Sequence, residues 1–241
     1  MSDDQATTKD PSTTLTEQLG LSLHIDEKRV ALIRATYINL AFAVGAAVLG
    51  ARIGAGLDFL ANFMAEWYGA LAALFALNVV PMLAQGFRKH PTLGFVGLLA
   101  TGTVSGLILG PLVASLSGSV LGQSILAQAI YLTLFLFVAV TYMVFALGQT
   151  YSAPRMLLSS LAITALAGCV LGIFFSHTFL QVLTTILIGA LGVVGLVCGT
   201  SEVLRDESID EPISGALMLF AAIFNIFIAS VRLLAIFNSD D

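Results

Sequence analysis

Charge-poor apolar stretches of about twenty residues recur along this chain, and a helix of that length crosses the roughly 30 Å hydrocarbon core of a bilayer. Seven such spans are placed at Arg34–Arg52, Trp67–Phe87, Leu93–Leu116, Ser124–Leu147, Met156–Ser176, Phe179–Gly199 and Ser214–Phe237. They are apolar throughout with no period of two, which excludes the alternating strands of a transmembrane barrel. With 58% of residues hydrophobic and only 10% charged, the chain is too apolar for a soluble domain, in which about a quarter of residues carry charge. The expected fold is therefore all-α, a seven-helix membrane bundle. A soluble enzyme, a disordered scaffold and a nucleic-acid binder are excluded. The net charge of −5 sits mainly in termini and loops and supplies no basic face for nucleic acid.

Residues 1–30 form a polar segment without the apolar core of a cleavable signal peptide, so this segment is expected to remain, leaving residues 31–241 as one transmembrane domain. Within it Leu19, Leu21 and Leu23 alternate with small or polar residues, a pattern too short to assign to an interface. Lys9, Lys28, Arg29, Arg34, Arg88, Lys89, Arg155 and Arg205 fall on one side of the seven spans, against Arg52 and Arg232 on the other. Because short cytoplasmic loops hold the excess of Lys and Arg, the N-terminus is expected inside and the C-terminus outside, in a bacterial-type inner membrane.

Glycines recur four apart at Gly50-Gly54, Gly102-Gly106-Gly110, Gly168-Gly172 and Gly195-Gly199, a spacing that lets helix backbones approach closely. Pro81 and Pro111 lie inside the second and third spans, where each removes a backbone hydrogen bond. The deep polar groups are amides and hydroxyls: Asn39, Asn78, Thr101, Thr103, Ser105, Thr133, Thr141, Thr185 and Asn225. Hydrogen bonds between helices are expected of them. No Asp, Glu or His stands at membrane depth, and Cys169 and Cys198 lie within apolar runs as expected free thiols.

No zinc-protease His pair, nucleophile elbow or phosphate-binding Gly loop occurs, and His24, His90 and His177 are scattered. No catalytic residue, metal site or cofactor is therefore expected, and the chain reads as a non-enzyme.

Two segments carry a resemblance. Cys198-Gly199-Thr200-Ser201 precedes an acidic loop ending in Asp210-Glu211-Pro212, followed by Ala216-Leu217-Met218-Leu219-Phe220-Ala221-Ala222-Ile223-Phe224-Asn225-Ile226-Phe227 and Arg232-Leu233-Leu234. Arg88 opens a second segment that runs through Gly94-Phe95-Val96-Gly97 to Ser105-Gly106-Leu107-Ile108-Leu109-Gly110-Pro111. Both resemble the Bax inhibitor-1, or transmembrane Bax-inhibitor-motif, family. The resemblance implies six helices around a central seventh and, in studied members, a pH-sensitive calcium leak. In those members two aspartates share a proton and pair with an arginine.

Carried over position by position, the arginine is Arg88, but the aspartates fall on Gly199 and Ala222, which bind no proton. The chain is thus similar to the family while lacking its paired carboxylates. Glu202, three residues beyond Gly199, is the nearest replacement partner for Arg88, so an Arg88–Glu202 ion pair is expected. Arg88, Glu202, Asn225, Gly199 and Ala222 are the candidate pore or gating residues. The implied function is a divergent ion leak or permease with calcium as the ion. Its rival is a non-transporting regulator that binds a membrane protease or another membrane protein.

Overall fold

The structure, a computed structural model, describes residues 11–147, 151, 155–175, 177–205 and 211–238. Eight helices follow in order: α1 (Pro11–Ala55), α2 (Asp58–Ala65), α3 (Trp67–Gly86), α4 (Pro91–Ser117), α5 (Val120–Leu147), α6 (Arg155–Phe174), α7 (Thr178–Arg205) and α8 (Pro212–Phe237). Among the described residues there is no strand. Both internal prolines are accommodated in unbroken helices, Pro81 in α3 and Pro111 in α4.

Six stretches are long and apolar enough to cross a membrane: Glu27–Ala55, Trp67–Gly86, Pro91–Ser117, Val120–Leu147, Thr178–Leu204 and Pro212–Phe237. The seventh expected span coincides with α6, whose described apolar part, Ser159–Phe174, is shorter. The sequence also left a plain loop between the first two spans, and here the structure differs. It contains α2, whose apolar Phe59, Leu60, Phe63 and Met64 recur at helical spacing, while extended residues Leu57 and Glu66 stop it at either end.

Small residues set the packing. A Cβ on Gly102, Gly106 or Gly110 would overlap the backbone of Ala43, Ala47 or Gly54, so α1 and α4 lie backbone to backbone. Gly168 meets the Thr184 side chain across α6 and α7, and Gly192 meets Ala222 and Ile226 across α7 and α8. Gly172 is the exception, with nothing within 4 Å of an added Cβ. Helix α8 touches α1, α3, α4, α5 and α7. Its buried Leu217, Leu219, Phe220, Ala222 and Ile226 join Leu40, Leu98, Val144, Leu196 and Val203 in the main core cluster.

The expected hydrogen bonds between helices do not form at Asn78, Thr101, Thr133 or Thr185. Each donates instead to the carbonyl four residues earlier in its own helix, at 2.7–2.8 Å. A side chain at membrane depth finds that local acceptor without any neighbour having to be in register. Cys169 and Cys198 are unbridged, as expected.

Candidate functional site at the basic end of the bundle

Helix α3 stops at Gly86, and a tight turn carries the chain into α4. Within the turn the Arg88 N–H donates to the Gln85 carbonyl at 3.2 Å and the His90 N–H to the Phe87 carbonyl at 2.9 Å. Pro91 then opens α4, where its fixed φ and missing N–H suit a first helical position. Helix α8 begins in the same way, with Pro212 after an extended Glu211 at the cap (φ −110°, ψ 121°). A carboxylate at that position is favoured by the positive end of the helix dipole.

These two starts are brought together. Arg88 Nε lies 3.9 Å from Glu211 Oε2, and the Ser214 hydroxyl donates to Gln85 Oε1 at 3.3 Å. Gly94 makes room for the contact, since a Cβ there would sit 2.7 Å from Ile213 Cδ1. Nearby, Arg29 of α1 donates to the Glu202 carbonyl at 2.7 Å, and the Tyr151 N–H donates to the Ser201 hydroxyl at 2.6 Å. Hydrogen bonds spanning 50 to 173 residues of sequence thus gather at one end of the bundle, where α1 and Tyr151 meet the end of α7 and the start of α8 meets the end of α3.

Arg88 therefore pairs with Glu211, and the expected Arg88–Glu202 pair does not form. The cause is helix order: α3 contacts α8 but not α7, so the end of α7 lies beside α1 rather than beside the α3–α4 turn. Gly199 and Ala222 lie on adjoining turns of the α7–α8 seam. A Cβ on Gly199 would stand 3.3 Å from Met218 and Leu219, whereas Ala222 faces Gly195 at 3.6 Å. Asn225 is half-buried one turn further along α8. The sequence reading missed Glu211 as a site residue by treating it as one acid of a loop; an acid immediately before a helix-starting proline is the signal that marks it.

The Arg88 and Glu211 side chains are 48% and 29% exposed, so water screens their attraction. A double-mutant cycle of Arg88→Ala with Glu211→Ala, followed by detergent melting, should give a coupling of about 0.2–1 kcal/mol. The cycle of Arg88→Ala with Glu202→Ala should be additive; coupling there would contradict the observed pairing.

Between α3 and α6 an open apolar groove of about 580 Å³ is lined by Leu71, Leu74, Phe75, Asn78, Leu166 and Val170. Among the described residues no group of three His, Cys, Asp or Glu side chains comes together to hold a metal.

Six membrane-length apolar helices packed through small residues, with polar ties at one end, define a multi-pass membrane protein embedded in the lipid bilayer. Residues 29–240 match the family described as Inhibitor of apoptosis-promoting Bax1, and the chain belongs to that family. It is similar to the uncharacterized protein Cj0236c of Campylobacter jejuni, at 26% identity over 208 residues covering 86% of this chain and 89% of that protein.

Proposed function

We propose that this Bax inhibitor-family protein is a non-enzymatic ion leak, with calcium the first ion to test, whose closed state is held where the start of α8 meets the α3–α4 turn. The observation that carries this reading is how lightly that contact is made. Helix α8, which touches five others, is tied at its first turn, among the described polar contacts, by one screened ion pair at 3.9 Å and one hydroxyl–amide bond at 3.3 Å. Ties of this strength are broken at small cost, so movement of the start of α8 is opposed mainly by the packing of buried Ile213 against Gly94 of α4. In this reading α6 completes a seven-span bundle, its 20 residues reaching about 30 Å. The basic end faces the cytoplasm of an inner-membrane protein, following the bias of Lys and Arg toward that side.

The full chain in liposomes loaded with a calcium indicator tests the reading. Calcium entry above protein-free vesicles is expected, rising further in Glu211→Gln, which loosens the tie. Absence of flux in both proteins would reject it. A second reading, a non-transporting regulator bound to a membrane protease or another membrane protein, draws support from the open groove between α3 and α6. That groove would take a partner's transmembrane helix against Asn78, whose amide otherwise bonds only its own Leu74 carbonyl.

A further inference from the structure

Hydroxyls in the apolar helices of this protein have an ordinary course. Thr101, Thr133, Thr164, Thr185 and Ser230 each donate to the carbonyl four residues earlier, at 2.7–2.8 Å. Thr36, Thr141 and Thr200 depart from it. Among the described residues their oxygens, together with the Tyr37 phenol, are shut off from the surface and close no hydrogen bond of good geometry. Thr36 and Thr200 are wholly buried.

The four groups fall on three helices, Thr36 and Tyr37 on α1, Thr141 on α5 and Thr200 on α7. Thr36 and Tyr37 are consecutive on α1. The Tyr37 ring stands edge-on to Phe137 of α5 at 6.2 Å, and its phenol and the Thr141 hydroxyl, one turn along α5, are hydrogen-bonding neighbours whose contact is poorly directed. Thr200 precedes Val203 by one turn of α7. Val203 and Thr36 together flank Gly215 of α8, where an added Cβ would lie 2.8 Å from the one side chain and 3.0 Å from the other. Packed interiors leave very few buried polar groups without partners, and four at one level of one bundle call for an occupant.

The chemistry of the lining identifies that occupant. The buried polar residues described are all Thr or Ser, with no Asp, Glu, Lys, Arg or His among them. A lining without charge does not repay a cation for its lost hydration, least of all a divalent one, which seeks carboxylates. Water both donates and accepts, and a buried water makes about three hydrogen bonds to groups of this kind.

We propose that the hydroxyls of Thr36, Tyr37, Thr141 and Thr200 hold ordered water between α1, α5 and α7, forming a neutral hydrated layer inside the bundle. It requires no transport activity, and Thr200 sets it directly beside the Ser201 and Glu202 contacts of the basic end.

Isosteric substitution gives a result whose sign decides. Around an empty site, Thr36→Val or Thr200→Val removes an orphaned hydroxyl and leaves the melting temperature of the detergent-solubilised full chain unchanged or raised. Around bound water, each valine takes away a partner and lowers the midpoint by about 2–10 °C, while Thr→Ser at the same position retains most of it. The lowered midpoint is expected; an unchanged or raised one overturns the proposal.

Should the valine variants fail to express, radiolytic hydroxyl-radical labelling of the native protein decides. Tyr37 should be oxidised several-fold faster than buried Phe220, because the radical forms from water at the site, and equal labelling overturns the proposal. Exchanging sodium for choline should leave the midpoint unmoved; a sodium-dependent shift would replace water by a cation and overturn it equally.

Discussion

Gly106→Ala is expected to destabilise the bundle by about 1–3 kcal/mol or more, a fall of about 2–10 °C in melting temperature. The added methyl would overlap the Ala47 carbonyl oxygen and stand 2.8 Å from both the Ala47 carbonyl carbon and the Ala51 nitrogen. These are backbone atoms of a continuous helix, so no side chain can swing aside and the whole α1–α4 seam must part. Gly45→Ala is the matched control on α1. That position is exposed, with nothing within 4 Å of an added Cβ, and alanine is the better helix former there by about 1 kcal/mol. The control should hold or slightly raise the midpoint. Equal losses in the two variants would mean that the glycines serve chain flexibility rather than close approach.

The second large effect is one of pH. Gly199→Asp combined with Ala222→Asp should give a protein whose melting temperature falls relative to the native chain as pH rises. At 199 an added Cβ stands 3.3 Å from Met218 and Leu219, so these side chains must give way for a carboxyl, which is then surrounded by apolar groups. At 222 it would be buried against α7, since Ala222 is only 4% exposed. Burial raises both pKa values above the unfolded value of about 3.9, and each carboxylate raises the other's further. A group whose folded pKa is raised retains its stability in acid and loses it as pH climbs through that folded value. With a rise of about 3 units, the loss between pH 4 and neutrality approaches about 4 kcal/mol. Midpoints for variant and native protein at both ends of that range provide the check, and a pH-independent gap between them would contradict it. By the same reasoning, any calcium flux through the native chain should be flat across pH 6–8 with respect to these two positions.

What could be read in advance follows from the range of each interaction. The spans were legible because a bilayer imposes a length and an apolarity on each segment by itself, and Trp67–Phe87 required no knowledge of its neighbours. Gly102, Gly106 and Gly110 announced a close seam, but their partner, α1, is not encoded in their spacing. The α2 helix escaped because eight residues between two spans are too few for periodicity to stand out. Threonines such as Thr101 and Thr133 were expected to reach across to other helices, yet for these two the acceptor taken is the carbonyl one turn back. The partner of Arg88 was hidden for a different reason: choosing between Glu202 and Glu211 depends on which helix ends are neighbours. That is a property of the assembled bundle, and a position-by-position likeness that brought together the counterparts of α3 and α7 pointed to the wrong acid.

One aromatic contact makes the molecule an instrument for observing itself. The single Trp67 stands at the first residue of α3, with its ring 5.9 Å from Tyr68 and 6.4 Å from Phe174 at the last residue of α6. Among the described residues helix α6 touches α3 and α7 alone, so it lies at the periphery of the bundle. All tryptophan emission from this chain therefore originates at the junction between the start of α3 and the far end of α6. Wavelength and quenching measured there respond to the docking of α6 against α3, in native protein, with no label attached.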